Sequence, residues 1–244
     1  MISVALASYN GERFIDNQIA SILSNLGPND ELVISDDRSS DATPAIVAHA
    51  MEKDSRIKLI QANENIGVIR NFERAIRNCK GDYIFLADQD DVWNKEKVSR
   101  VMQVFQDTNA LCILHDVTIV DEFLNQVYPS FFKLRGVKKG LISNCVKNSF
   151  MGNAMAFRAE ALKVILPFPR TIPMHDQWIG IVCEHYGKVE FLYEALGSYR
   201  RHSTNVTKMS HGSIESMLKK RTGLFIALIT RFLAVRLNNG VEKL

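Results

Sequence analysis

The sequence is short of cysteine pairs, and that absence already excludes several chemistries. Its four cysteines, Cys79, Cys112, Cys145 and Cys183, lie more than thirty residues apart. No pair has disulfide-scaffold, C-x-x-C redox or zinc-ligand spacing. Cys79 and Cys112 sit among apolar residues and read as small core residues. A reducing cytoplasm is the simplest compartment. No run approaches the ~18 to 20 apolar residues that a bilayer-spanning helix needs. The opening MISVALASYN has no basic segment ahead of its apolar run and reads as a strand, not a signal peptide. Charge of either sign is nearly balanced, 30 Lys and Arg against 27 Asp and Glu, net +3. That net charge is too weak to argue for nucleic acid, whose binders usually need a concentrated basic patch. Repeats and low-complexity tracts are absent. So is a G-x-G-x-x-G after the first strand, which disfavours a dehydrogenase.

What the chain does contain is alternation. With 244 residues, 46% hydrophobic and 23% charged, it suits one large domain or one with a small appendage. Residues 2–8 form an apolar run that ends in the turn signal Tyr9-Asn10-Gly11. Ile15, Ile19, Ile22, Leu23 and Leu26 follow at helical spacing. Strands are expected at 31–35, 56–61, 83–87 and 111–120. Helices are expected between them, one capped by Asp41 with Pro44 in its first turn and one capped by Asn94. This order predicts a mostly parallel sheet with helices on both faces. Beyond residue 120 the pattern loosens. Residues 121–150 read as loop, hairpin and short helix. A short strand at 155–157 and a proline-rich connection at 167–173 follow. The reading then gives a helix over 175–186, two late strands at 189–193 and 196–199, and a helix over about 213–236.

Ligands of doubly wound sheets bind beyond the carboxyl ends of the strands, and both acidic clusters fall there. Asp36 and Asp37 end the second strand. Asp88, Asp90 and Asp91 end the fourth, three carboxylates within four residues. Such a group repels itself unless it is solvated or neutralised, and hard divalent cations with a diphosphate would neutralise it. A solvated acidic turn is the plainer reading, with Asp91 serving partly as a cap and Asp37 as an Asx turn.

In five stretches the sequence resembles family 2 glycosyltransferases of the GT-A fold, in that family's order. They are Ala7-Ser8-Tyr9-Asn10-Gly11-Glu12, Ser35-Asp36-Asp37-Arg38-Ser39-Ser40-Asp41, Asn65-Ile66-Gly67-Val68, Gly81-Asp82-Tyr83-Ile84-Phe85-Leu86, and Asp88-Gln89-Asp90-Asp91-Val92-Trp93. The last is most similar to the rhamnosyltransferase-like branch, whose members build bacterial surface polysaccharides. Gly152-Asn153, His175-Asp176-Gln177-Trp178 and Tyr199-Arg200-Arg201-His202 carry a thinner resemblance in the second half.

The resemblance implies a GT-A, Rossmann-like fold and an inverting, metal-dependent sugar transferase. The donor is a nucleoside diphosphate sugar, dTDP-rhamnose first and UDP-hexoses next. The acceptor is a glycan or lipid-linked glycan, and the metal is Mn²⁺ or Mg²⁺. Ala7 and Tyr9 would line the nucleotide pocket and Asp36 would meet the base. Gly67 and Arg70 would lie against the nucleotide. Asp88 would reach the ribose, and Asp90 would hold the metal. Asp176 would be the general base, although the family often shows Glu-Asp where this chain has His175-Asp176. A helix-start acid is the plainer reading of Asp176. His202 would join the metal, with Arg200 and Arg201 on the diphosphate. Gly152, His175 and Trp178 would border the acceptor, with a core role equally open to Trp178. His49, His115, His185 and His211 read as structural. The alternatives are a sugar-phosphate nucleotidyltransferase, which lacks here its glycine-rich loop, and a non-catalytic glycan-binding remnant.

The expected organisation is a nucleotide-sugar half at 1–120, an acceptor and catalytic-base half at 121–210, and an amphipathic helix at 211–244 ending in a polar tail from Asn238. The helix pairs Leu218, Phe225, Leu228, Ile229 and Phe232 with Lys219, Lys220, Arg221, Arg231 and Arg236. An apolar stripe ordinarily packs on its own core or on a second subunit. A basic one can instead lie on the inner face of a membrane. The expected protein is thus cytoplasmic, with peripheral membrane contact or a homo-oligomer as the two options for this helix.

Overall fold

A computed structural model describes residues 1–202 and 214–239. His211 and the end of the polar tail lie outside the described residues. The first half follows the expected alternation. Strands β1 (Ile2–Ser8), β2 (Glu31–Asp36), β3 (Ile57–Gln61) and β4 (Tyr83–Asp88) pair in parallel in the order β3-β2-β1-β4. Helices α1 (Ile15–Leu23), α2 (Thr43–Lys53) and α3 (Val68–Arg77) connect them.

Successive side chains of a strand point to opposite faces, and the central strands are apolar on both. Val4 and Leu6 of β1 and Phe85 and Ala87 of β4 pack with Ile15, Ile19 and Ile22 on one face. Ala5, Ala7, Ile84 and Leu86 pack with Phe72, Ala75 and Ile76 on the other. Continuous apolar strands of this kind belong to sheets covered on both sides.

Beyond β4 come β5 (Val92–Trp93), α4 (Lys97–Asp107), β6 (Ala110–Val120), β7 (Gln126–Tyr128), α5 (Phe131–Arg135) and α6 (Leu141–Val146). A 3₁₀ turn at Gly152–Ala154 leads into β8 (Met155–Arg158), followed by α7 (Leu162–Ile165), α8 (His175–Tyr186), β9 (Lys188–Arg200) and α9 (Ile214–Asn239). Strand β8 lies antiparallel between β4 and β6, β9 runs parallel to β6, and β5 pairs antiparallel with β9.

Two local expectations change. The late strands expected at 189–193 and 196–199 are one strand, whose pairing with β6 absorbs the break through register shifts around Asp116. Asn94 does not cap α4 with its side chain. Its amide donates to the Ala195 carbonyl at 2.9 Å, tying the turn after β4 to β9. Asp41 behaves as expected, accepting from the Thr43 amide at 3.0 Å and the Thr43 hydroxyl at 2.5 Å.

Candidate active site

In register, Ala7 stands beside Ser35 and Asp88, and Ser8 beside Asp36. The acidic clusters therefore share one edge of the sheet, at the carboxyl ends of β2 and β4. Glutamine 89 fixes the loop after β1 against the loop after β4. Its side-chain oxygen accepts from the Tyr9 amide at 2.8 Å, and its nitrogen donates to the Tyr9 carbonyl at 3.0 Å. Gly11 must lack a Cβ for this, since one would lie 2.2 Å from that oxygen. Tyr9 itself stays half exposed, and Ala7 is buried at the mouth of β1.

The β2-end acids are spent internally. Asp36 is fully buried and accepts from the Ser8 hydroxyl at 3.0 Å and from the amide and hydroxyl of Ser39 at 2.9 and 2.6 Å. A direct contact with a base, expected of Asp36, would require exchanging those bonds. Asp37 accepts from the amides of Ile66 and Gly67, both at 2.8 Å. It thereby moulds the loop in which Gly67 adopts φ +81°, a left-handed conformation natural to glycine. Arg70, expected against the nucleotide, is turned away. It pairs with Glu73 and donates to the Phe168 carbonyl at 2.8 Å.

At the β4 end the three aspartates diverge. Asp91 is buried and turned inward, accepting from the Arg200 amide at 2.9 Å and from the Asn153 side chain. This corrects the expectation of a three-aspartate metal cluster, because Asp91 is a structural tie between β9 and the 3₁₀ turn. Asp90 meets His202 at 2.8 Å. Asp88 is half buried. Burial, then the neighbouring charges of Asp90 and Asp176, push its carboxyl up to about 7, against the pull of Lys97. Burial also lifts Asp91 well above the carboxylate range, with Asp90 and Asp88 adding to it.

Sequence reasoning assigned no role to Lys97. It is buried under this cluster, donates to the Asn153 carbonyl at 2.7 Å, and lies 3.9 Å from the centre of the Trp93 ring. Burial lowers it to about 7, opposed by Asp91 and Asp88. The available signal was a lysine at the start of α4, six residues after Asp91, on a helix whose buried face also carries Val98, Val101 and Phe105.

Arg200, expected on the diphosphate, is instead a clamp. Its guanidinium donates to the Asp90 and Glu122 carbonyls at 2.7 and 2.6 Å and lies over the Phe14 ring. Arg201 is half buried beside Tyr199, and its amide donates to the Val120 carbonyl at 2.8 Å.

Asp176 opens α8, as expected of an acid at a helix N-terminus. Its carboxylate accepts from the Gln177 amide at 2.6 Å and from Asn148 at 3.4 Å. Burial raises it to about 6, while the amides of Gln177 and Gly152 and the Asn148 side chain hold it down. Asn148 is a residue that sequence reasoning missed, because the 121–150 segment has no periodicity to place it. The charge of Asp176 contributes to the raised pKa of Asp88, so the two carboxyls lie within electrostatic reach of each other.

The acceptor-side expectations need correction. Trp178 is fully buried, and its indole nitrogen donates to the Ile165 carbonyl at 2.9 Å, so it is a core residue and cannot stack on a sugar. His175 is also withdrawn from solvent, stacked on Phe72 with ring centroids 3.9 Å apart, and neither ring nitrogen has a hydrogen-bond partner. Burial lowers it to about 3. Gly152 is the residue that makes room for it, since a Cβ there would lie 2.8 Å from Nε2.

Comparison with known proteins identifies the family and the fold. The family model described as glycosyl transferase family 2 matches residues 3–166. A Bacillus subtilis protein, TuaG, is named as a teichuronic acid biosynthesis glycosyltransferase, an assignment its name marks as provisional. It is 25% identical over 82% of this chain and 79% of its own length. The dTDP-rhamnosyl transferase RfbG of Shigella flexneri is 33% identical, over 46% of this chain and 40% of its own. Among solved structures, Staphylococcus aureus TarS 1–349 in complex with UDP-GlcNAc superposes with a TM-score of 0.74 at 19% identity, covering 99% of this chain and 68% of that one.

Proposed function

This chain belongs to glycosyl transferase family 2, with the GT-A fold, and we propose that it moves a sugar from a nucleoside diphosphate sugar to a hydroxyl of a growing bacterial surface glycan or its lipid-linked form, inverting the anomeric centre. The observation that carries this reading is the placement of Asp88 and of Asp90, paired with His202, at the carboxyl end of β4, with Asp176 at the start of α8 within electrostatic reach of Asp88. The matched relatives supply the chemical class. TuaG supports polysaccharide synthesis, RfbG a dTDP-rhamnose donor over less than half the chain, and TarS a UDP-sugar donor over nearly all of it. We keep dTDP-rhamnose and UDP-hexoses as the two donors to be distinguished.

Asp176 would accept the acceptor hydroxyl's proton as that oxygen attacks. Its raised pKa makes it a stronger base than a solvated carboxylate while leaving it ionised at neutral pH. Asp90 and His202 form a carboxylate–imidazole pair suited to a divalent cation beside an excess of acid. Among the described residues no group of three His, Cys, Asp or Glu side chains is gathered for a metal, so Asp90 and His202 would hold it with help from the donor diphosphate. Mn²⁺ or Mg²⁺ would supply charge neutralisation of the departing diphosphate. Gln89 and Gly11 hold the Tyr9 main chain at the nucleotide side of the cleft.

Calorimetric titration with UDP and with dTDP, each with and without Mn²⁺, tests the reading. Metal-enhanced binding of one nucleotide is expected, with the enhancement lost in Asp90→Ala. Binding of neither nucleotide by the folded protein would overturn it.

A further inference from the structure

Helix α9 is apolar on two opposed faces. One packs on the core through Leu224, Ala227 and Leu228, all buried, with Phe232 and Val235 beside them. This accounts for part of the apolar stripe legible in the sequence. The other face presents Leu218, Phe225, Ile226, Ile229, Leu233 and Leu237, each at least 44% exposed. At 3.6 residues per turn these six fall within a sector of about 120°. Six large apolar side chains aligned on one stripe exceed the scattered exposure normal for a protein surface.

Helix α6 adjoins α9 and carries exposed apolar side chains of its own. Ile142 and Val146 of α6 are 79% and 59% exposed, and Arg221 of α9 donates to the Val146 carbonyl at 2.9 Å. Residues 131–147 carry Lys133, Arg135, Lys138, Lys139 and Lys147, all exposed, and no acid. Helix α9 adds five cations and one acid, Glu215. The whole chain is only +3, so the rest of it is net acidic. Four of these cations are occupied, Lys139 by Glu190, Lys147 by the Arg135 carbonyl, Arg221 by the Val146 carbonyl and Arg231 by the Leu166 and Pro167 carbonyls. Lys219, Lys220 and Arg236 stand exposed on α9 itself.

We propose that the exposed face of α9, together with the adjoining 131–147 segment, is a docking surface for an anionic lipid bilayer. Charge decides between a second copy of the chain and a bilayer as the covering of this face. A second copy on a two-fold axis would set the same basic patch against itself, and like charges across an interface are costly. A bilayer takes the apolar stripe into its acyl boundary and sets lysine and arginine among anionic headgroups. No described helix is long and apolar enough to cross the membrane, so the contact is peripheral. It borders the acceptor side of the cleft, because α6 runs two residues before Asn148, which holds Asp176.

The test is co-sedimentation of the full chain with phosphatidylcholine vesicles and with vesicles holding about a third phosphatidylglycerol. Binding to the anionic vesicles alone is expected, weakening as salt rises. Lys219→Glu/Lys220→Glu should lower the affinity by roughly fivefold or more per residue at low salt. Phe225→Glu/Ile229→Glu should abolish binding with the thermal transition unchanged, since both side chains face away from the core. Three results would overturn the proposal: no sedimentation with anionic vesicles, equal binding to neutral ones, or a dimer in solution that Phe225→Glu/Ile229→Glu dissociates. None of these readouts depends on sugar transfer, so they stand apart from the donor-binding test.

Discussion

The two sides of the cleft use their carboxylates in opposite ways. On the donor side Asp36 and Asp37 are buried and fully engaged, the first by Ser8 and Ser39 and the second by the Ile66 and Gly67 amides. On the acceptor side Asp176 is held at a raised pKa, and His175 beside it has neither nitrogen bonded. The β2 end is built for stability, with Asp36 and Asp37 each anchoring a loop. The start of α8 keeps a poorly solvated carboxyl, the proposed base, at a cost in stability, the usual arrangement around a working acid–base group.

The largest effect that would break this contrast is at Asp176. Asp176→Asn is expected to lower transfer by about 10²- to 10⁴-fold while leaving donor affinity and stability intact. A variant that turned over normally would remove Asp176 as the base. In the native protein, transfer should fall as pH drops through about 6, where the carboxylate takes up a proton. A rate independent of pH between 5 and 7 would count against it in the same way.

Next in size is Asp37→Ala. Two part-buried amides lose their acceptor, at a cost of about 1 to 2 kcal/mol, read as a drop in the denaturant midpoint. An unchanged midpoint would mean that the donor-side acids are not anchors. A smaller effect is expected of Gly11→Ala. The added methyl displaces the Gln89 side chain from the Tyr9 main chain, and nucleotide affinity should fall several-fold with little loss of stability.

The smallest effect sharpens the comparison at His175. Its folded pKa lies near 3, below the ordinary 6.5. As pH falls below 6.5 the unfolded chain takes up a proton that the folded chain refuses, so this residue's share of stability is present above 6.5 and lost toward 3. Asp176 acts in the other sense, because between about 6 and 3.8 the folded chain binds its proton first. The difference between the native protein and His175→Phe isolates the histidine. The variant should be equally stable or slightly more so at pH 7, and less sensitive to acid. A large loss of transfer in it would restore His175 to the acceptor site.

Much of the fold was legible because β1 to β4 alternate with helices at regular spacing, and that alternation places Asp36 and Asp88 on one edge without further information. What could not be read was the direction of each carboxylate. Asp88, Asp90 and Asp91 are nearly consecutive, yet only contacts with Asn153, Arg200 and His202, all more than sixty residues away in sequence, decide which one faces inward. Trp178 and Arg200 were misread for the same reason. A tryptophan or an arginine near a functional motif looks the same in sequence whether it meets a ligand or a backbone carbonyl. Asn148 and Lys97 were missed because one lies in a segment without period and the other hides a charge on a buried helix face.

Strand β9 carries a consequence for how the protein comes into being. It delivers the Arg200 amide to Asp91 and leads to His202 at Asp90, partners 109 and 112 residues apart in sequence. Contacts closed over such long loops form late, after the local helices and neighbouring strands are in place. A chain emerging from the ribosome would therefore hold most of its donor-side sheet before its acidic turn was tied down. The Asp90–His202 pair exists only once residue 202 has joined, so β9, the last strand among the described residues, decides when the proposed metal pair is complete.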